Sequence, residues 1–265
     1  MIPKYLEQYD YRTNLIVDRN NPILIQKAIR DRFSGRRNWE AGYGGEAYLG
    51  RKNSEDALTW NVFRSLQCNN RLDIVSKIFK IGEVRTILFW GVDPEYQGEE
   101  QQLTNIMIRT IDGKLRGTLT DPDLVVFTEK EVCFIECKLN QKGKSSPWKT
   151  RSHGSEQRMK IYVDKYPELE TITEWRSVYH MIRQYVYAKA LAEILDKTPR
   201  VFPLVNEKHM EIISNHYKTL QESSIQDTFG EIMTWQQINR KLDNSKLRKD
   251  DQLIKKITES LDATR

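Results

Sequence analysis

Four charged residues bracket two apolar runs in the middle of the chain. Asp121 and Asp123 precede Leu124-Val125-Val126-Phe127, and Glu136 and Lys138 follow the start of Val132-Cys133-Phe134-Ile135. The tetrapeptide Thr128-Glu129-Lys130-Glu131 between the runs reads as the turn of a β-hairpin. Because both faces of the hairpin are apolar, it belongs in the middle of a covered sheet. A turn centred between Glu129 and Lys130 sets Asp123 opposite Glu136 and Asp121 opposite Lys138. Side chains two apart on a strand share a face, so all four charges project to one side. Directly opposed residues have Cβ atoms about 4.5 to 5.5 Å apart, close enough for two carboxylates to grip one hard cation at roughly 2.0 to 2.1 Å. The turn lacks the Asn-Gly or Asp-Gly that sets a two-residue loop. A three-residue loop would instead put Asp123 opposite Ile135 or Cys137 and split the cluster. A buried salt-bridge network is the other reading of the same four charges.

Several elements must position these residues. Ser54 to Leu66 is a helix, with Asn53 or Ser54 as cap, acids in its first turn and Leu58, Val62 and Leu66 as its apolar stripe. Glu55 lies on that stripe, and a carboxylate at the inner edge of a buried face needs a partner or a job. Thr86 to Val92 reads as a buried strand, Asp93 to Glu100 as an acidic loop, and Leu103 to Ile111 as a helix stopped by Gly113. Beyond the hairpin, Lys142 to Lys160 reads as a polar, basic loop. A long helix follows from about Glu174 to Leu195, then a strand from Arg200 to Val205 and further helices near Lys208 to Leu220 and Asp250 to Leu261.

This order predicts an α/β fold, a central mixed β-sheet flanked by helices with a helical C-terminal part. Residues 1–45 read as an N-terminal extension with a short helical stretch at Pro22 to Phe33. Residues 46–205 form the core, and 206–265 a helical extension packed on it.

Composition narrows the class. The 265 residues are 38% hydrophobic and 30% charged with 6 Trp, which excludes a disordered chain. The net charge of +5 is compatible with a polyanionic partner without establishing one. Met1 to Asp10 has no apolar leader, and no apolar run approaches membrane-spanning length, so a cytoplasmic protein with no membrane partner is expected. Cys68, Cys133 and Cys137 form no CxxC pair and read as buried, reduced thiols. His209 and His216 would make a metal pair only with further ligands. The glycine-rich run at Gly42 to Gly45 lacks the Lys-Ser/Thr of a phosphate loop.

Asp121-Pro122-Asp123, a hydrophobic strand, then Ile135-Glu136-Cys137-Lys138-Leu139 resembles the signature of the PD-(D/E)XK nuclease superfamily. Glu55 on a preceding helix and Gln184 within Ile182-Arg183-Gln184-Tyr185 are similar to that group's accessory positions. Ala188 stands where a Gln-x-x-x-Tyr motif would have tyrosine. The resemblance covers about Gly45 to Val205 and implies a restriction endonuclease-like core. It further implies that Asp123, Glu136, the Cys137 carbonyl and Glu55 bind Mg²⁺ or Mn²⁺. Lys138 would reach the attacking water or a phosphate oxygen, and Gln184 would orient the water or the phosphate.

The basic stretch after the motif, with Lys142, Lys144, Lys149 and Arg151, fits phosphate contact, with Trp148 stacking on a base or lodged in a groove; an ordinary solvated loop whose Trp148 packs on the core is the other reading. The expectation is therefore a metal-dependent DNA endonuclease of restriction, defence or repair type. The alternatives are a catalytically silent nucleic-acid-binding member acting in a complex, or an RNA- or junction-directed nuclease. Cutting both strands with one site per chain calls for two copies, so a homodimer is an expectation to test.

Overall fold

The computed structural model describes residues 14–33, 49, 54–95, 111, 121–139, 146, 148–149, 153–244 and 251–262. Pro22–Phe33 forms α1. Glu55–Thr59 runs through a π-helical stretch, Trp60–Arg64, into Ser65–Cys68, and we call this continuous rod α2. Ser54 is its cap, its side chain accepting the Ala57 N–H at 3.1 Å. Where sequence periodicity predicted a plain α-helix, the rod carries the π turn, a feature that clusters at functional sites. Asn61 in that turn donates to Asn14 O and accepts from Ile16 N, and Trp60 Nε1 donates to Val17 O. These bonds strap the N-terminal segment to α2.

Next come α3 (Leu72–Phe79), β1 (Val84–Phe89), β2 (Leu124–Thr128), β3 (Glu131–Lys138), α4 (His153–Lys165), α5 (Trp175–Leu195), β4 (Thr198–Val205), α6 (Met210–Gln221), β5 (Met233–Thr234), α7 (Trp235–Asn244) and α8 (Asp251–Asp262). The strands lie in the order β1-β2-β3-β4-β5. β1, β2 and β3 are antiparallel neighbours, whereas β4 and β5 add in parallel, so the sheet is mixed. The antiparallel β2–β3 pair is joined by a tight turn, and the parallel β3–β4 pair is joined through helices α4 and α5, as a crossover requires.

Strand alternation divides the core in two. Val126, Cys133, Ile135, Cys137 and Leu204 face a cluster that also holds Leu15 and Ile23 from the N-terminal segment, Leu58, Val62 and Leu66 from α2, and Ile238 and Ile257 from the C-terminal helices. Val125, Phe127, Val132, Phe134 and Val201 face Met181, Tyr185, Ala188 and Leu191 of α5 with Ile213 and Tyr217 of α6. Both faces of the hairpin are thus covered, as its two-sided apolar pattern requires. The turn is anchored from α5, whose Lys197 neighbour donates to Thr128 O and Glu129 O at 2.7 and 2.6 Å.

Four expectations need correction. The segment read as a basic loop to Lys160 is helical from His153, so Arg158 and Lys160 lie on α4. The strand expected to reach Val92 ends at Phe89, because Trp90 and Gly91 take positive φ (52° and 78°) and turn the chain. Cys68 is exposed, unlike the buried Cys133 and Cys137. The short β5 carries too few residues for a periodic signal and was not expected. The glycine-rich run lies outside the described residues, as does the helix expected over Leu103 to Ile111 apart from Ile111 itself. Among the described residues no helix is long and apolar enough to cross a membrane.

Candidate active site

The hairpin pairs Leu124 with Ile135, Val125 with Phe134, Val126 with Cys133 and Phe127 with Val132. This is the two-residue register, and the three-residue alternative is excluded. Continuing the ladder by one step brings Asp123 opposite Glu136. Asp123 completes the pairing through its side chain, Oδ2 accepting the Cys137 N–H at 2.7 Å. Both acids therefore sit at the end of two central strands, where the sheet meets α5 on one face and the N-terminus of α2 on the other.

Lys138 lies at the centre of this cluster. Its Nζ is 2.9 Å from Glu136 Oε1, 3.2 Å from Glu55 Oε1 and 3.9 Å from Asp123 Oδ2. It also donates to the Cys137 carbonyl at 2.6 Å. Glu55 reaches the site from the first turn of α2, and its second oxygen accepts the Leu139 N–H at 2.7 Å. It thus ties the helix to the end of β3 as well as facing the cluster. Gln184, buried on α5, donates through Nε2 to Glu136 Oε2. The catalytic and metal-binding residues expected from sequence, Asp123, Glu136, Cys137, Lys138, Glu55 and Gln184, come together around one ammonium.

The electrostatics follow from that crowding. Burial opposes the Lys138 charge, but Glu136, Glu55 and Asp123 outweigh it and hold the ammonium firmly protonated. Burial would push Glu136 up, but Lys138, His180 and Arg183 prevail and keep it well below its ordinary 4.5. Asp123 goes the other way: burial, only partly opposed by Lys138 and reinforced by Glu136 and Glu55, raises it well above its usual range. Glu55 is also raised, by burial first, against Lys138. The depressed Glu136 contributes stability that is fully present above about pH 4.5, its unfolded value, and is lost as pH falls toward its folded one. Acid titration of Glu136→Gln, followed by tryptophan fluorescence, should show a shallower stability loss below pH 4.5 than the unsubstituted chain.

The basic segment divides differently from the expectation. Trp148, expected to stack on a base, is wholly buried, its ring 6.0 Å from that of Tyr217 on α6. An indole this large contributes more by filling the core than by waiting at the surface. Lys149 beside it is exposed. Lys142, Lys144 and Arg151 lie outside the described residues. His209 and His216 are both half-buried, and among the described residues no third ligand joins them.

Sequence reading missed His180 and Arg183. His180 Nδ1 is 3.6 Å from Glu136 Oε1, and Arg183 is buried close enough to favour the Glu136 charge. Helical spacing carried a signal for the first of these: His180 precedes Gln184 by four residues and so shares its face. A second missed group lies behind the site, where buried Asp56 accepts Trp90 Nε1 at 3.0 Å and faces Lys27 Nζ at 3.4 Å.

Among the described residues no three His, Cys, Asp or Glu side chains converge on a point of their own. The acids converge on the Lys138 ammonium, so a cation already marks where their charge is directed. The donor set suits a hard divalent ion, being all oxygen: three carboxylates and a strand-end carbonyl. A further sign is Gln184 Oε1, a buried acceptor with no hydrogen-bond partner among the described residues, which a water of an ion's hydration shell would satisfy. Set against protein-family models, curated proteins and solved structures, the chain matches none.

Proposed function

We propose that this chain is a divalent-metal-dependent phosphodiester hydrolase acting on DNA, an endonuclease of the PD-(D/E)XK type with a restriction endonuclease-like core. The observation that carries the reading is the gathering of Asp123, Glu136, Glu55 and the Cys137 carbonyl on one cationic point, the Lys138 ammonium. Three buried carboxylates share that one ammonium, and burial raises Asp123 and Glu55 there, so a divalent ion would compensate the acids more fully than Lys138 alone does. A cytoplasmic setting and DNA as partner go with this reading.

Asp123, Glu136 and the Cys137 carbonyl would hold Mg²⁺ or Mn²⁺, with Glu55 as a direct or water-mediated fourth ligand. Such an ion, when bound, lowers the pKa of a coordinated water and neutralises charge at the phosphate. Lys138, on its four-carbon stem, would turn its ammonium to the phosphate oxygen that gains charge or to the attacking water. Gln184 fixes Glu136 and keeps one carboxylate oxygen aimed at the cluster. Lys149, exposed next to the anchored Trp148, supplies a cation at the edge for the DNA backbone.

The test is incubation of the purified chain with supercoiled plasmid and with single-stranded DNA in Mg²⁺, Mn²⁺ or EDTA, alongside Lys138→Ala. Metal-dependent nicking or linearisation that falls by about 10²–10³-fold in the variant is the expected result. Cleavage that persists in EDTA or at full rate in Lys138→Ala would sink the assignment. Binding of DNA without cutting by either protein would replace it with a non-catalytic binding role.

A further inference from the structure

Lys138, His180 and Gln184 sit against the Glu136 carboxylate, and they differ in whether they can stay when a divalent ion arrives. Lys138 lies 2.9 Å from Oε1, but the same ammonium is shared with Glu55, Asp123 and the Cys137 carbonyl. An ion taking those oxygens would repel the ammonium and displace it. The other two partners, His180 and Gln184, stand one turn apart on α5 and compete for none of those groups.

We propose, resting on the metal-dependent reading above, that His180 is a positioning residue that joins Gln184 in clamping Glu136 once Lys138 withdraws. Gln184 holds Oε2. His180 Nδ1 faces Oε1 at 3.6 Å, longer than a hydrogen bond because the ammonium has the nearer place on that oxygen. A carboxylate can only accept, so Nδ1 serves as the donor, and departure of Lys138 lets the contact shorten.

The backbone is built to hold His180 there. α5 departs from helical geometry at Val178 (φ −120°, ψ 16°). The His180 N–H donates to the Trp148 carbonyl at 3.2 Å. Trp148 is immobilised in the core, and the Tyr179 ring packs edge-on to the imidazole at 5.9 Å. The imidazole is 31% exposed, at the rim of the site. Outer partners that orient metal-binding carboxylates typically change affinity by about 10–100-fold when removed.

The experiment titrates the full metal-free chain with Mn²⁺ by calorimetry, with no nucleic acid present, for wild type, Glu136→Gln, His180→Ala and His180→Asn. Asparagine places an amide N–H near the Nδ1 position, and alanine removes it. Mn²⁺ binding by wild type, lost in Glu136→Gln, weakened about tenfold in His180→Ala and restored to within about threefold in His180→Asn, is the expected pattern. Melting temperatures of the two His180 variants within a few degrees of each other show that the split does not come from unfolding. Should the alanine variant misfold, His180→Leu gives the second removal of the Nδ1 donor while keeping side-chain bulk at this position. Unchanged affinity in His180→Ala, or equal weakening in alanine and asparagine, overturns the clamp while leaving the metal site in place. Absence of Mn²⁺ binding by wild type removes the functional reading itself, and the clamp with it.

Discussion

Lys138→Met should melt well below the wild-type chain when both are metal-free, and Mg²⁺ or Mn²⁺ should return most of the difference. Removing the ammonium leaves Glu136, Glu55 and Asp123 facing one another with side chains 5%, 17% and 16% exposed. Breaking a buried ionic cluster by deleting one partner costs about 3–5 kcal/mol, and each kcal/mol moves the midpoint of a domain this size by roughly 2–4 °C. A fall of about 10 °C is therefore expected. Its pH dependence has a definite sign. Asp123 and Glu55 already lie above their unfolded values, and losing Lys138 raises them further. A carboxyl raised in the folded state destabilises the fold as pH climbs from the unfolded value through the folded one, so the deficit should be small near pH 4 and grow towards neutrality. The same substitution removes the group that competes for the carboxylates, so Mn²⁺ should bind Lys138→Met at least as tightly as wild type while cleavage is lost. A variant that melts like wild type at neutral pH, or binds Mn²⁺ more weakly, would show that the ammonium neither compensates the acids nor shares the ion's place.

The part of this arrangement legible in the sequence was the part built by strict periodicity. Two apolar runs around a short turn specified a buried hairpin, but with both faces apolar and no Asn-Gly or Asp-Gly in the turn its register stayed open, and the observed pairing of Leu124 with Ile135 decides it. The long α5 and the cap at Ser54 were legible for the same reason, strong local signals repeated over many residues. What escaped was set by tertiary context. Trp148 stands among Lys142, Lys144, Lys149 and Arg151, so local composition reads it as a surface residue, yet the space between α5 and α6 takes it in. The π turn of α2 answers to the N-terminal strap at Asn61 and leaves no mark in hydrophobic spacing. His180 shows a third case, since the i, i+4 relation to Gln184 was present but helix position alone does not say that the chain bends at Val178 to bring the imidazole to Glu136.

Trp148→Ala gives the second large effect, and it separates a core residue from a nucleic-acid contact. A base-stacking tryptophan, once truncated, costs about 1–3 kcal/mol of binding per base and leaves the melting temperature where it was. A tryptophan enclosed at 0% exposure leaves a cavity instead, and such truncations cost about 3–5 kcal/mol of stability. The expected outcome is a drop of about 10 °C in thermal unfolding. Trp148→Phe should recover much of it, because the smaller ring fills most of the space and removes an indole N–H that has no hydrogen-bond partner among the described residues. The damage should also reach the site, since the Trp148 carbonyl receives the His180 N–H and α5 carries Gln184 four residues on. Mn²⁺ affinity of Trp148→Ala, measured at a temperature where it is still folded, should therefore fall together with stability, whereas Trp148→Phe keeps both. If Trp148→Ala instead melts like wild type and loses only DNA affinity, the indole belongs at the surface, and the anchoring of His180 through its carbonyl loses its basis.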